Sequence, residues 1–265
     1  MTLPGLPLPA HTKQFVAPDT WRSIEFASDL HLGEDTPRTF DAFAAYLRCT
    51  RADAVFLLGD LFEVWVGDDA RHEGFEARLT ALLKEAAEQR TVGFMVGNRD
   101  FLVGDEFLTD CGLVPLADPT VLVAFGRRVL LTHGDALCLG DTSYQSFRTM
   151  VRSAAWQQAF LARPLAERRR IAGEIREESR RLKLGQARSD WVDLDARATM
   201  AWMREAETPD LIHGHTHAPG TENLGPGLVR HVLSDWDLDT TDSAARAEIL
   251  RIDASGFSRN PPDAC

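Results

Sequence analysis

Seven Asp, His and Asn side chains directly follow short apolar runs of the chain, where they could bind metal ions. Five such runs, within residues 24–31, 54–60, 92–98, 129–135 and 211–217, end in a group of Asp, His, Gly or Asn. In open α/β sheets, ligands gather outside the carboxyl ends of the strands, so these groups are expected to meet. The candidate metal ligands are Asp29, His31, Asp60, Asn98, His133, His215 and His217.

The spacing and the types of these residues predict two metal ions. Asp29 and His31 are two residues apart, as are His215 and His217, so each pair points to one side of an extended chain. Imidazole with carboxylate or amide oxygen suits Mn²⁺, Fe²⁺ or Zn²⁺ better than Ca²⁺. Seven ligands exceed one tetrahedral site, and Asp60 is the natural bridge between two metals. Such a pair can stabilise both the attacking and the leaving oxygen of an in-line displacement.

Each of these residues also has a structural explanation when it is taken alone. An Asp after a strand is often a turn former or a helix cap, and a lone His is often a hydrogen-bonded structural residue. Gly59, Gly97, Gly134 and Gly214 are consistent with turns of positive φ. The metal site is favoured because the structural explanation would have to hold at five strand ends. For His213, a hydrogen bond to a ligand and a place near the leaving group both stay open.

The elements that must position these residues alternate between strands and helices. Amphipathic helices are expected after Thr36-Pro37 and over residues 75–89, so the chain predicts a layered α/β fold. Three helix-like stretches, at 143–162, 164–184 and 190–206, interrupt the alternation, and two further strands follow residue 228. We expect a flexible arm over 1–20, a core over 21–142 and 207–253, a helical cap insertion over 143–206 and a disordered tail over 254–265.

The composition excludes several classes of protein. A net charge of −11 argues against a general nucleic-acid binder, which would normally be basic. The four cysteines show no C-x-x-C spacing, and this pattern favours reduced thiols in the cytosol. The N-terminus has no charged segment before a long apolar run, so no signal peptide is expected. The sequence contains no stretch of about 18 apolar residues, so no transmembrane helix is expected.

Five motifs, in this order, resemble the calcineurin-like metallophosphoesterase superfamily. They are SDLH (28–31), GDLFE (59–63), GNRD (97–100), HGD (133–135) and HGHTH (213–217), and the resemblance covers roughly residues 22–252. Longer stretches at 59–69, 97–104 and 133–148 are similar to the branch that hydrolyses UDP-2,3-diacylglucosamine in lipid A biosynthesis. The resemblance implies two β-sheets flanked by helices, with a helical cap insertion.

The resemblance also implies a reaction and its metals. A hydroxide activated by two Mn²⁺ ions would attack the α-phosphorus without a covalent enzyme intermediate, and UMP and 2,3-diacylglucosamine 1-phosphate would be released. The catalytic residues would be Asp60, Asn98, Arg99 and His215. Asp29, His31, Asp60 and His217 would hold one Mn²⁺, and Asp60, Asn98, His133 and His215 the second.

Further positions match residues that bind substrate in that branch. Arg99 would contact the pyrophosphate, although a salt bridge to Asp100 would also explain it. Asp141 would contact the nucleotide sugar or cap a helix. At Gln186 the branch usually has Lys, and Arg180 or Arg188 is a possible substitute. The implied substrate-binding set is Asn98, Arg99, Asp141, Ser179, Lys183, Gln186 and His215.

The cap insertion carries the argument for a lipid. Between residues 163 and 188 there are nine basic residues and four glutamates, with apolar residues between them. Such a helix suits an anionic membrane surface, but it also suits a solvated helix with i,i+4 ion pairs. The resemblance favours a monomer that lies peripherally on the cytoplasmic face of the inner membrane, with Phe147, Trp156 and Phe160 walling an acyl chamber.

Two other functions compete with this one. A related phosphoesterase acting on a soluble dinucleotide or nucleotide phosphodiester would not need a cap with apolar helix faces. A protein-binding scaffold would be expected to lose ligands, whereas the full set is present in this chain.

Overall fold

Two six-stranded β-sheets form the centre of the protein. The structure, a computed structural model, describes residues 6–183, 192–241 and 244–262. The strands of sheet I, in spatial order, are β1 (Lys13–Val16), β6 (Thr120–Ala124), β7 (Arg127–Leu131), β8 (Asp210–His213), β10 (Leu228–Val232) and β9 (Gly220–Gly225). Those of sheet II are β12 (Gly256–Asn260), β11 (Ile249–Asp253), β2 (Ser23–Ala27), β3 (Ala54–Leu58), β4 (Thr91–Met95) and β5 (Val114–Pro115).

The two sheets share one apolar core, and helices cover their outer faces. Phe26 and Phe56 of sheet II lie in one buried cluster with Leu131 and Ile212 of sheet I. The helices are α1 (Pro37–Cys49), α2 (Gly74–Ala87), α3 (Asp105–Cys111), α4 (Thr142–Val151), α5 (Ala154–Leu161), α6 (Leu165–Lys183) and α7 (Ala196–Glu205). The expected fold, two sheets flanked by helices, is confirmed.

The five strands that precede the candidate ligands run parallel within their sheets. In sheet II, β2 pairs with β3 and β3 with β4, and all five residues of β2 and of β3 are buried. In sheet I, β7 pairs in parallel with β8. Burial on both faces explains why these strands are predominantly apolar and do not alternate strictly between apolar and polar residues. Their carboxyl ends therefore lie together in each sheet.

Helix α1 follows the predicted pattern. Its buried face includes Phe40, Phe43 and Leu47, and Pro37 stands in its first turn, where a missing backbone N–H costs nothing. Helix α2 spans Gly74–Ala87 and buries Leu79 and Leu83, close to the predicted 75–89.

The two ends of the chain differ from the expectation. The arm 1–20 is not wholly flexible, because β1 pairs in parallel with β6 over Lys13–Val16. The tail 254–265 is not wholly disordered, because β12 pairs antiparallel with β11 over Gly256–Asn260. Both are edge strands, which gain backbone hydrogen bonds without needing an apolar pattern on both faces.

Two further expectations need correction. Helix α7 packs on sheet I, where Trp202 and Met203 lie with Leu130 and Leu211. The insertion beside the site therefore comprises α4, α5 and α6 rather than all of residues 143–206. Cys111 and Cys138 are free and buried, but Cys49 is disulfide-bonded, so the expectation of reduced thiols is wrong for Cys49. Among the described residues, no helix is both long enough and apolar enough to span a membrane.

Candidate metal centre and adjoining cavity

The first group of candidate ligands joins the turn after β2 to the turn after β8. His217 Nε2 lies 3.3 Å from Asp29 Oδ1 and 3.3 Å from His31 Nε2. Donor atoms of Asp29, His31 and His217 all lie within 4.8 Å of one another. Asp29 is fully buried, and the two imidazoles are partly exposed. One carboxylate and two imidazoles at this spacing could hold a divalent cation.

The second group joins the turns after β3, β4, β7 and β8. Asn98 Oδ1 lies 3.0 Å from His133 Nε2 and 2.7 Å from His215 Nδ1. His133 Nε2 lies 3.7 Å from Asp60 Oδ1. The four side chains therefore meet at one point, although 155 residues separate Asp60 from His215 in the sequence.

Two carboxylates connect the groups. Asp60 Oδ2 lies 4.0 Å from His31 Nε2 of the first group, while Asp60 Oδ1 faces His133 of the second. Donor atoms of Asp29, Asp60 and His133 also lie within 4.8 Å of one another. All seven predicted side chains thus converge, and the donor set fits a pair of divalent metals.

The backbone at these positions is unusual. Asp29, His31, Asp60, His215 and His217 all have φ between 47° and 64°. This left-handed region costs an L-residue about 1–2 kcal/mol, and Asp and His tolerate it better than most. The strands β2, β3 and β8 therefore end in tight turns that aim these side chains at the site.

Two glycines allow the turns to approach each other. A Cβ atom at Gly97 would collide with the carboxylate of Asp60 and would lie 2.5 Å from the Asp60 backbone nitrogen. A Cβ atom at Gly214 would collide with the carboxylate of Asp29. Glycine is required here for close packing rather than for a positive φ.

The electrostatics of the site favour added positive charge. Burial raises the pKa of Asp29, but the hydrogen bond and charge of His217, together with the charges of His133 and His31, outweigh this effect and hold the pKa well below its usual range. Burial lowers the pKa of His133, but the Asp60 and Asp29 carboxylates outweigh it and raise the pKa to about 9. Burial and the charge of His133 lower the pKa of His215 to about 3, which leaves a neutral imidazole that can act as a ligand.

Several supporting residues were not predicted from the sequence. Glu63 Oε2 lies 3.5 Å from His31 Nδ1, and Asp235 Oδ2 lies 3.6 Å from His217 Nδ1. The Leu58 carbonyl oxygen lies 2.9 Å from His133 Nδ1. Carbonyl or carboxylate partners of this kind orient metal-binding imidazoles. No sequence signal marks Asp235, because strand β10 contains Arg230 and His231 and is not a continuous apolar run.

His213 lies away from the cavity. It is fully buried, and its Nδ1 lies 2.8 Å from the Gly214 carbonyl oxygen. This contact favours a structural role in the turn that carries His215 and His217.

The surroundings of Arg99 disfavour the alternative of a salt bridge to Asp100. The two carboxylate oxygens of Asp100 accept hydrogen bonds from the backbone nitrogens of Gly97 and Leu61, at 2.6 and 2.8 Å. The Arg99 backbone nitrogen donates to Asp60 Oδ1 at 2.8 Å, and its Nε lies 4.0 Å from Asp60 Oδ2. Among the described residues, this buried Nε has no hydrogen-bond partner.

Asp141 caps a helix and also reaches the site. Its Oδ1 accepts hydrogen bonds from the Tyr144 backbone nitrogen at 2.9 Å and from Ser143 Oγ at 2.8 Å, at the start of α4. It also lines the cavity described below. The side chains of Ser179 and Lys183 and the whole of Gln186 lie outside the described part of the chain, so those predictions stay predictions.

A cavity of about 930 Å³ opens beside the second group of ligands. At one end it is lined by Asn98, Arg99 and His215. The remainder has largely apolar walls, formed mainly by the loops after β3 and β4 and by α4, α5 and α6. These walls include Trp65, Phe101, Phe147, Trp156, Phe160 and Ile175.

Comparisons with known proteins give close relatives. The chain is 44% identical over 241 residues to the UDP-2,3-diacylglucosamine hydrolase of Chromobacterium violaceum, covering 90% of this chain and 98% of the relative. It is 43% identical over 239 residues to the enzyme of that name from Aromatoleum aromaticum, covering 88% and 94%. Among solved structures, the E. coli phosphoesterase YfcE has a TM-score of 0.42 and 15% identity, covering 91% of this chain and 100% of YfcE. No family model matches the chain.

Proposed function

This chain belongs to the family of UDP-2,3-diacylglucosamine hydrolases, and we propose that it cleaves the pyrophosphate bond of that nucleotide lipid. The products would be UMP and 2,3-diacylglucosamine 1-phosphate, an intermediate of lipid A biosynthesis. The chain is then a metal-dependent hydrolase that acts on a diphosphate.

The observation that carries this proposal is the shape and lining of the cavity. Asn98, Arg99 and His215 lie at the end beside the candidate ligands, and the rest of the wall is largely aromatic and aliphatic, with a few polar side chains such as Asp141 and Glu174. A diphosphate with a lipid attached needs both environments within one cavity. A soluble dinucleotide carries no acyl chains to fill the largely apolar part of a chamber of about 930 Å³.

The seven convergent side chains are the proposed metal ligands. Asp29, His31, Asp60 and His217 would hold one ion, and Asp60, Asn98, His133 and His215 the other, with Mn²⁺ as the proposed metal in both. Bound divalent metals would lower the pKa of a coordinated water and offset phosphate charge. Asp60 is suited to bridge them, because its two carboxylate oxygens face His31 and His133, at 4.0 and 3.7 Å.

Arg99 is the proposed binder of the diphosphate. Its backbone is fixed by the hydrogen bond to Asp60, and its buried Nε makes no hydrogen bond to the described residues. A planar guanidinium left with free donors is suited to phosphate oxygens, where it can offset charge that develops during displacement. Asn98 and His215 line the same end of the cavity and would hold the scissile group beside it.

The head group would extend from the diphosphate toward α4 and α6. Asp141 supports this path, since it lines the cavity while it caps α4. Ser179, Lys183 and Gln186 are proposed contacts on the strength of the family resemblance.

The outer surface of the cap supports contact with an anionic membrane. Met150 and Leu161 are exposed apolar residues of α4 and α5, at 50% and 41% of their maximal area. Arg169, Arg170 and Arg181 stand on the exposed surface of α6, in ion pairs with neighbouring glutamates. Apolar side chains beside arginines suit the boundary of an anionic bilayer. We propose a monomer at the cytoplasmic face of the inner membrane.

Product analysis by mass spectrometry tests the proposal. The protein with Mn²⁺ is offered UDP-2,3-diacylglucosamine, diadenosine tetraphosphate and a simple phosphodiester, with and without a chelator, in ¹⁸O-labelled water. We expect chelator-sensitive release of UMP and the lipid monophosphate, with the label in UMP. Hydrolysis of only the soluble substrates would overturn the lipid assignment, and label in the lipid phosphate would overturn the point of attack.

A further inference from the structure

A buried carboxylate beside the site accepts hydrogen bonds from side chains of the cap insertion. Asp135 follows His133 in the chain and is fully buried. Its Oδ2 accepts hydrogen bonds from Tyr144 Oη at 2.5 Å and from Arg148 Nε at 2.8 Å, and Arg152 Nη2 lies 3.5 Å away. All three donors belong to α4 or to the residue that ends it, so one carboxylate anchors the first helix of the cap insertion.

Arg152 makes a further contact that Arg148 does not. Its Nη2 donates to the Gly97 carbonyl oxygen at 2.8 Å, and its guanidinium carbon lies 6.0 Å from the ring centroid of Phe101. The Gly97 carbonyl belongs to the peptide bond that leads into Asn98. Arg152 therefore holds both ends of the segment 97–101, which carries Asn98 and Arg99.

The same segment is held from the opposite side by the protein core. Asp100 accepts hydrogen bonds from the Gly97 and Leu61 backbone nitrogens, at 2.6 and 2.8 Å. The Asp100 carboxylate restrains the N–H of Gly97. Among the described residues, only the Arg152 guanidinium donates a hydrogen bond to the Gly97 carbonyl oxygen. The N–H and the carbonyl of Gly97 lie in two successive peptide planes, so the two contacts together restrain the backbone torsions of Gly97, and the Asn98 side chain that follows inherits this precision.

We propose that Arg152 is a positioning residue for Asn98, with Asp135 holding its guanidinium in place. The inference rests on the proposed function, because it takes Asn98 as a ligand of the second metal. Arg152 would act mainly on that metal, since Asp29, His31 and His217 lie on turns that it does not touch and only the shared ligand Asp60 contacts the segment. It also links the cap to the metal site, so a displaced α4 would disturb the ligand directly.

The pair Arg148 and Arg152 provides a matched test. Both approach Asp135, but only Arg152 reaches the segment that carries Asn98. Metal-free wild type, Arg148→Met and Arg152→Met are titrated with Mn²⁺ by calorimetry, and the exchange-coupled signal of paired Mn²⁺ is followed by electron paramagnetic resonance. We expect Arg152→Met to weaken binding of the second Mn²⁺ by about 10–100-fold, and binding of the first, which depends on this segment only through Asp60, by a smaller factor. Arg148→Met should keep both affinities within about threefold of the wild type, since it spares the Gly97 contact.

Equal affinities in Arg152→Met and wild type, or equal losses in both variants, would overturn the proposal. If Arg152→Met does not fold, the double variant Asp135→Asn/Arg152→Met removes the buried charge as well and is compared with Asp135→Asn. A second Mn²⁺ site as tight in the double variant as in Asp135→Asn would also overturn it. The titration needs no substrate, so failure of the lipid assay would overturn the proposed substrate without touching this inference.

Discussion

The side-chain oxygen of Asn98 lies 2.7 Å from Nδ1 of His215. This contact connects the turn after β4 in sheet II to the turn after β8 in sheet I. The contact joins two sheets across 117 residues of sequence. The second metal would therefore be held by residues of both sheets, and its binding would report whether the two sheets are correctly packed.

Asn98→Ala should abolish activity while the fold remains. The substitution removes a proposed ligand and a contact of both His133 and His215, and even residues behind the ligands typically affect activity by about 10–100-fold. We expect a loss of at least about 100-fold in kcat, measured by UMP release. Asn260→Ala, at the exposed end of β12, should behave as wild type. Turnover by Asn98→Ala within tenfold of the wild type would contradict the assignment.

Divalent metal should stabilise the protein against heat. A ligand that binds the folded state alone adds about 2.7 kcal/mol at 100 times its Kd. Thermal unfolding with chelator, with Mn²⁺ and with Ca²⁺ would check this expectation. Mn²⁺ should raise the Tm, and Ca²⁺, which prefers oxygen ligands, should raise it much less. An unfolding curve that Mn²⁺ does not move would argue against the site.

Gly97→Ala should destabilise the protein and weaken metal binding. The new methyl group would meet the Asp60 carboxylate and backbone, and overpacking of this kind costs about 1–3 kcal/mol. Gly173→Ala, inside α6, is the matched control, because beyond its chain neighbours and its own helix backbone no atom lies within 4 Å of the added carbon. It should instead stabilise the chain by about 0.5–1 kcal/mol, since alanine favours a helix. Denaturant unfolding of both variants would separate the two effects, and equal shifts would refute the steric argument.

Trp156→Ala should impair the lipid substrate more than a soluble one. Trp156 stacks on Phe160 with ring centroids 4.8 Å apart, and both rings line the cavity. Loss of an aromatic wall that buries an acyl chain would lower kcat/KM by about 10–100-fold. Hydrolysis of a chromogenic phosphodiester should change little, because its small group would occupy only the polar end. An equal fall in kcat/KM for both substrates would show that the substitution acts through the metal site and not through acyl binding.

The metal ligands could be predicted from the sequence, but their supports could not. Asp29 and His215 follow predominantly apolar strands, and that pattern survives in a sequence because parallel strands are buried on both faces. Glu63 does not directly follow an apolar strand, so no local pattern identifies it. Its carboxylate comes to 3.5 Å from His31 Nδ1 only in the folded protein. The gathering of Arg148 and Arg152 on Asp135 likewise depends on where α4 lies, which no local pattern encodes.

The edge strands β1 and β12 were not predicted, for a different reason. β1 and β12 are mostly exposed or half-buried, so their residues need not alternate between apolar and polar. Backbone pairing defines these strands, and backbone groups are the same in every sequence. The apolar core strands β2 and β3 are found readily because their side chains must exclude water.

The left-handed backbone at five of the candidate ligands lowers the stability of the folded protein, while the side chains at these positions supply the donor atoms for the metals. At about 1–2 kcal/mol each, these backbone conformations cost in total a sum comparable to the net stability of a typical domain. Glycine would relieve that cost at every one of these positions and would remove a donor atom at each. Selection for heat resistance alone would therefore favour glycine at these positions, at the expense of the donor atoms. A library screened for thermal stability without metal should be enriched in glycine at residues 29, 31, 60, 215 and 217.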